Sequence, residues 1–419
     1  GWVLSASSGP TISSQWVTSR PSMIYLRLNA FPAMPGMVSD IKRSAMTDKK
    51  TSPHEISLNP KQVKAFRQDV LKWYDRHRRV LPWRALPNQT TNPYHVWLSE
   101  IMLQQTVVAA VIPYFQKFVE NWPSVHDLAA APQEEVMSAW AGLGYYARAR
   151  NLHKCAQIVA ADYGGVFPDT QDELKKLPGI GDYTSAAIAS IAFDKPAVVV
   201  DGNIERVMAR YFAVTAPLPD GKKILREKAA LLADGQTDRP GDYAQALMDI
   251  GAAVCIPKSA RCVLCPLQKS CQARKEGIQD NLPARRKKQP KPQKQGYVYW
   301  LKNSKGEILC HRRPEKGMLG GMTGLPTSEW VDIKDDVQHI DFKKKVELRI
   351  NKKLYIKHSF THFDLKLYGI VIEGGDIEAP DESYFWQSSN NISGLWFPTL
   401  FKKFVRLMAH DNKKKAAKT

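Results

Sequence analysis

Four cysteines fall within residues 255–271 in the spacing C-x6-C-x2-C-x5-C: Cys255, Cys262, Cys265 and Cys271. Thiolates this close in sequence can converge on one centre, and four sulfur donors suit either a [4Fe–4S] cluster or Zn²⁺. A zinc ribbon ordinarily carries two CxxC pairs, and this segment has one. Lys258, Arg261, Lys269 and Arg274 surround the four, so the same loop could meet phosphate. Cys155 and Cys310 stand alone and read as small buried hydrophobes.

Two carboxylates occupy unusual settings. Glu100 lies in residues 97–106, WLSEIMLQQT, an otherwise apolar helical run; taken alone, a glutamate there ordinarily faces solvent. Asp201 ends the apolar run of residues 198–203, VVVDGN, where it and Asn203 are also good helix N-caps with nothing catalytic implied. A pair of acids is nonetheless what cleaving an N-glycosidic bond requires. One protonates the departing base, which leaves poorly as an anion; the other stabilises or traps the oxocarbenium-like sugar. Residues 177–181, LPGIG, stand between two helical segments. Their glycines let backbone amides approach an anion at a helix N-terminus, although a tight interhelical turn looks similar.

The elements that must position these groups change character along the chain. Residues 58–282 read as helical, beginning with Val63, Phe66, Val70, Leu71 and Tyr74 at helical spacing. Residues 97–119 carry a second apolar face, with a bend or break expected at Pro113. Further helices are expected near 134–141, 147–161, 172–177, 183–193, 204–212, 222–233 and 243–254. Residues 284–295 hold Arg285, Arg286, Lys287, Lys288, Lys291 and Lys294, two prolines and no acid, and read as a basic extended linker. Strand-like runs follow at 297–301, 308–310, 354–356 and 365–372, then a helix near 399–409 that leads into a lysine-rich end.

The 419 residues suffice for two or three domains, and a 43% hydrophobic content can bury real cores. Sixty Lys and Arg against 41 Asp and Glu give a net charge of +19, which favours a polyanionic partner such as nucleic acid over a merely basic surface. No apolar run approaches the roughly 20 residues that span a membrane. Residues 1–39 contain no Asp or Glu, many Ser, and Arg20 and Arg27. Either this is a transit segment or it is translated upstream sequence with Met46 as the true start, the reading preferred here. Disorder is expected as far as Ser57.

Taken together, these residues resemble the MutY type of adenine DNA glycosylase. The likeness rests on WLSEIMLQQT, on residues 142–151 (GLGYYARARN), on LPGIG, on VDGN and on the four-cysteine spacing, in order over about residues 60–410. The hairpin and cysteines are shared with the wider endonuclease III-like superfamily. The resemblance implies a multidomain chain: an all-α helix-hairpin-helix glycosylase core with an iron–sulfur loop, followed by an α+β Nudix-like domain. Its divisions would be a disordered extension (1–57), the helical domain (58–283), the linker (284–295), the Nudix-like domain (296–410) and a basic tail (411–419).

The same resemblance implies roles. Glu100 matches the general acid acting at adenine N7, and Asp201 the carboxylate that meets the sugar cation. Asn203 matches an active-site polar residue. Tyr183 stands where bifunctional relatives carry a Schiff-base lysine, which implies a monofunctional enzyme. Arg79, Leu81, Trp83 and Gln245 match the adenine pocket; Gln105 and Tyr145 match residues that wedge into the duplex and hold the orphaned partner base. Gly179 and Gly181 match the hairpin's phosphate clamp. Phe360, Thr361 and His362, within residues 358–362 (HSFTH), match the loop that recognises 8-oxoguanine. Cys255, Cys262, Cys265 and Cys271 match the ligands of a [4Fe–4S] cluster. The C-terminal domain lacks an acid-rich Nudix box and is expected to read the lesion, not to hydrolyse pyrophosphate. In residues 317–321, GMLGG, Leu319 replaces a common aromatic. The expected substrate is double-stranded DNA with adenine opposite 8-oxoguanine, and also opposite guanine. A monomer is expected, with no membrane association, in a bacterial cytoplasm at the nucleoid, or in mitochondria or the nucleus if residues 1–45 are a transit segment. Rival readings are a bifunctional glycosylase for oxidised pyrimidines and a catalytically silent lesion binder.

Overall fold

The computed structural model describes residues 58–416 apart from 88, 234, 236, 237, 288, 315, 341, 343–349, 374–376, 390 and 393–396. The reading of residues 1–57 as an extension lies outside the described residues.

The first helix, α1 (Pro60–His77), starts where the sequence favours it. Asn59 caps it, Gln62 closes a reciprocal capping box, and Pro60 fills the first helical position. Phe66, Val70 and Tyr74, four apart, form its buried stripe. Helix α2 (Pro93–Leu103) is capped by Asn92 and buried along nearly its whole length, Glu100 included. Residues 97–119 do not form one helix bent at Pro113. The break falls earlier, where Gln105 adopts a left-handed φ of 57°, and α3 (Val108–Asn121) runs through Pro113. Pro113 is tolerated because it and Ala109, whose carbonyl loses its amide partner, both face solvent.

Two short helices, α4 (Val125–Ala130) and α5 (Gln133–Ala139), lead to α6 (Ala147–Asp162). Helices α7 (Gln171–Lys175) and α8 (Asp182–Phe193) flank the LPGIG turn, with Gly181 as the cap of α8. Then come α9 (Gly202–Tyr211), α10 (Lys222–Ala233) and α11 (Pro240–Asp249), which continues as a π-helical turn, Ile250–Val254. A one-turn helix, α12 (Gln272–Lys275), follows the last of the four cysteines.

The helices pack around two hydrophobic clusters. One holds Trp97, Phe118 and Trp140 from α2, α3 and the end of α5. The other holds Phe66, Tyr74, Met208 and Tyr243 from α1, α9 and α11.

The C-terminal part is a mixed sheet. Its strands are β1 (Gln293–Lys302), β2 (Glu307–Arg312), β3 (Thr323–Gly324), β4 (Val331–Asp332), β5 (Ile350–Ser359), β6 (Asp364–Glu373) and β7 (Tyr384–Ser388). The path is β3-β2-β1-β6-β5, with β4 beside β1 and β7 beside β2. Strands β1 and β6 are parallel, in register from Gln293 with Asp364 to Lys302 with Glu373. Strand β1 thus begins inside residues 284–295, because Gln293, Lys294 and Gln295 already pair with β6. Strand alternation divides the core in two. Val298 and Trp300 face a layer completed by helix α13 (Thr399–Ala416) through Phe401, Phe404 and Met408; Tyr299 and Leu301 face the other side with Phe342 and Ile377. The final helix continues to Ala416, beyond the expected 409. No helix among the described residues is long and apolar enough to cross a membrane.

Candidate active site

Glu100 sits one turn from the end of α2 with only 6% of its surface exposed, against the ordinary reading of a lone glutamate as solvent-facing. Its carboxylate accepts one hydrogen bond, 2.9 Å from the Tyr183 hydroxyl in the first turn of α8. Burial pushes its pKa up to about 7; the Tyr183 bond and Arg84 pull down, and the negative charge of Asp201 pushes up. Glu100 is therefore a carboxylic acid that holds its proton near neutrality. Burial, reinforced by the charge of Glu100, raises the Tyr183 phenol well above its usual range, so Tyr183 stays neutral and remains the donor.

Asp201 caps α9, as the sequence allowed, and this does not use up its chemistry. One oxygen accepts from Asn203 N at 3.0 Å and Ile204 N at 2.7 Å; the other accepts from Asn203 Nδ2 at 2.8 Å. Burial raises its pKa and those bonds oppose the rise. Both acids line one cavity of about 1000 Å³, between the two hydrophobic clusters. Arg79, Leu81, Trp83, Gln105, Gly181, Tyr183, Asn203 and Gln245 line it too. Trp83 is at once core and wall, edge-on to Phe115 at 5.4 Å between ring centroids.

Sequence reasoning missed the charge network behind this wall. Asp249, fully buried at the end of α11, accepts Arg84 at 2.7 and 2.9 Å, Arg79 Nε at 2.6 Å and Arg79 N at 3.0 Å. These bonds fix residues 79–84 against α11 and hold Arg84 in the cavity wall. Arg148 was missed as well. Its guanidinium is buried and donates to the carbonyls of Ile101 and Met102 at 2.9 Å each, to Thr106 Oγ1 at 3.2 Å, and to Leu143 O and Gly144 O at 3.3 Å each. It ties the end of α2 to the Gly142–Tyr145 turn, where Gly142, Gly144 and Tyr145 all have positive φ. The only sequence hint of Asp249 was an acid set in the apolar run of residues 246–250, ALMDI.

Tyr145, Phe360, Thr361 and His362 are not part of the acid-lined cavity. They line a second one, of about 590 Å³, between α6 and the sheet domain, and Gln104 and Gln105 border both cavities. Across it the Tyr145 hydroxyl and Thr361 Oγ1 are 3.2 Å apart. Gly181 reaches the acid-lined cavity, whereas Gly179, with φ +81°, packs where a side chain would meet Asn151 at 3.0 Å. The positive φ favours glycine at position 179, and a side chain there would also press on Asn151.

The four cysteines surround a small apolar cavity of about 20 Å³, together with Arg210 and Arg274. Among the described residues no three His, Cys, Asp or Glu side chains gather so as to hold a single metal ion. Burial and then mutual repulsion push Cys265 up to about 12, a thiol that would ionise only with a cation or cluster to compensate. A set of four sulfurs with no carboxylate or imidazole among them fits a group bound by thiolates. Helix α9 joins this loop to Asn203, the hydrogen-bond partner of Asp201. Arg206 donates to Asn203 Oδ1 at 2.9 Å and Cys255 O at 2.7 Å, and Arg210 reaches Cys255 Sγ at 3.3 Å and Ile256 O at 2.7 Å.

Residues 98–233 match the HhH-GPD superfamily of base excision DNA repair proteins, and residues 297–407 match the NUDIX domain family. A mouse adenine DNA glycosylase is 32% identical over 426 residues, covering 87% of this chain and 82% of the mouse protein. The chain belongs to the adenine DNA glycosylase family. The human member is 30% identical over 418 residues, covering 85% of this chain and 76% of the human protein. Among solved structures, a thermostable thymine-DNA glycosylase is 29% identical, with a TM-score of 0.45, over 52% of this chain and 98% of its own. As a member of the family the chain is a base-excision DNA repair glycosylase, a hydrolase of N-glycosyl bonds with a helix-hairpin-helix core and a C-terminal Nudix-like domain.

Proposed function

We propose that this glycosylase removes adenine mispaired with 8-oxoguanine, and with guanine, in double-stranded DNA, and that it does so as a monofunctional enzyme. The observation that carries the reading is Glu100: a buried acid, raised to about 7 and hydrogen-bonded to a tyrosine, in one cavity with a second carboxylate. Adenine is a poor leaving group as an anion. Glu100 gives its proton to N7, the C1′–N9 bond breaks with its electrons going into the purine, and neutral adenine departs. The ionised carboxylate of Asp201, oriented by Asn203 and the start of α9, stabilises the positive charge at C1′ until water adds. The deprotonated Glu100 then accepts the proton of that water.

The base pocket is formed by Leu81 and Trp83 as apolar walls, with Arg79 and Gln245 as polar contacts. Gln105 and Tyr145 enter the duplex as adenine leaves the stack, and Phe360, Thr361 and His362 meet the base opposite. The hairpin amides near Gly179 and Gly181 meet phosphate. Tyr183 supports a monofunctional reading, since a neutral phenol cannot form the Schiff base that β-elimination needs.

Cys255, Cys262, Cys265 and Cys271 would hold a [4Fe–4S] cluster. When bound, it supplies iron–thiolate bonds that brace residues 255–271. We take the active form to be a monomer on duplex DNA.

The test is a single-turnover assay on a duplex with one adenine opposite 8-oxoguanine, followed by hot alkali, with Glu100→Gln alongside. We expect strand breaks only after alkali and a loss of about 10³-fold or more in the variant. Strand cleavage without alkali, together with borohydride trapping, would overturn the monofunctional reading. Release of oxidised pyrimidines in place of adenine would overturn the substrate.

A further inference from the structure

Among the described residues, two hydrogen bonds cross from the helical domain to the sheet domain beside the second cavity. One joins Tyr145 and Thr361, both exposed. The other runs from Arg150 Nη1, on α6, to the carbonyl oxygen of Gly320 at 2.7 Å. They differ in what can happen to them when DNA binds. Tyr145 and Thr361 are themselves the groups assigned to the base opposite adenine, so their mutual bond must open as the base enters. Arg150 and Gly320 have no such duty, and their bond can persist.

The Gly320 carbonyl is presented by a self-braced loop. Gly320 N donates to Gly317 O at 3.2 Å, Gly321 N to Pro314 O at 2.9 Å, and Arg313 Nε to Met318 O at 3.1 Å. Gly317, Leu319 and Gly321 all have positive φ, at 100°, 58° and 66°. A carbonyl so fixed is a definite target, and a guanidinium donor makes the bond charge-assisted and short. The loop and Arg150 both line the second cavity, so their bond sets how deep the cavity is and how closely residues 358–362 approach Tyr145.

We propose that Arg150 is a specificity-determining positioning residue: it docks residues 317–322 on α6 and so sets the cavity that discriminates the base opposite adenine. The proposal rests on the assignment of that cavity to the opposite base. Arg150 acts on discrimination and not on the bond-breaking step, since Glu100 and Asp201 lie in the other cavity.

The experiment compares the full-length protein with Arg150→Met and Arg150→Lys. It measures single-turnover rates with adenine opposite 8-oxoguanine and opposite guanine, and hydrogen exchange of the amides of residues 317–322. We expect Arg150→Met to lose roughly tenfold of the preference for 8-oxoguanine, with the rate opposite guanine little changed. Exchange at 317–322 should quicken, and Arg150→Lys should recover part of both. An unchanged ratio, an equal fall in both rates, or unchanged exchange would overturn the proposal. If the wild-type protein itself shows no preference, the lesion reading fails, and exchange alone then decides whether the docking contact exists.

Discussion

The two cavities that share Gln104 and Gln105 are built on opposite plans. The acid-lined cavity is walled by helices and the loops that lead into them. Glu100 in it is buried and Asp201 and Tyr183 are half-buried, and it is braced by Asp249 with Arg79 and Arg84 on one side and by Arg148 on the other. The second cavity lies between two domains, is lined largely by loop residues, and is spanned by an exposed hydroxyl pair. Proton transfer to a leaving base needs a carboxyl whose pKa is fixed by its surroundings, which a braced site around a buried acid provides. Discrimination between two purines needs groups that can exchange partners when the right one arrives, and partly solvated loops do this at low cost. The difference predicts that substitutions around the first cavity act on stability and protonation, and those around the second on preference.

The strongest test of that division is Asp249→Ala. The aspartate is fully buried and meets two guanidiniums, so its removal leaves buried positive charge without a partner. We expect a loss of about 3–5 kcal/mol in unfolding free energy, read by chemical denaturation. Arg79, more exposed than Arg84, should contribute less to this network: Arg79→Ala ought to cost distinctly less than Arg84→Ala. Equal and small costs for all three substitutions would mean that the wall is not braced in this way.

How much of this was legible follows from how local each signal was. The cysteine loop, the cap at Asp201 and the helical stripe from Val63 to Tyr74 could be read because each lies within a few residues. Glu100 was visible as a residue but its burial was not, because a helix hidden on every side has no polar face against which an acid stands out. The break at Gln105 was missed because neither glycine nor proline marks it; Arg148, far along the chain, fixes the conformation. Arg84 with Asp249, and Arg150 with Gly320, are separated by 165 and 170 residues, and nothing local announces either pair. Strands β3 and β4, two residues each, carry no alternation to detect.

A smaller effect concerns protonation. In the proposed mechanism Glu100 acts in its protonated form, so the rate should fall as pH rises through about 7. The same mechanism uses Asp201 ionised, and its pKa is raised, so the acid limb should lie above the usual aspartate range. Removing the Tyr183 donor destabilises the Glu100 anion and raises its pKa. Tyr183→Phe should therefore move the alkaline limb upward by about one pH unit. The same logic gives a sign for stability. An acid whose pKa is higher folded than unfolded binds its proton more tightly in the native state, so its contribution declines as pH rises from about 4.5 to about 7. Glu100→Gln should thus melt higher than wild type at pH 8, with the gap closing toward pH 5. A constant gap would remove Glu100 as the perturbed acid.

The smallest expected change sharpens the comparison from the other side. Tyr145→Phe deletes one hydroxyl from an exposed contact with Thr361, and an exposed neutral hydrogen bond contributes at most about 1 kcal/mol. Unfolding midpoints should barely move, and the rate opposite guanine should hold. The rate opposite 8-oxoguanine should fall by a few-fold if the hydroxyl leaves Thr361 to serve the incoming base. The free enzyme is then held at that point by a bond it is built to give up, in contrast to the four hydrogen bonds that hold Asp249 in the interior. A clear loss of stability in Tyr145→Phe, with the preference intact, would instead make the pair a strut, and the two cavities would be alike in kind.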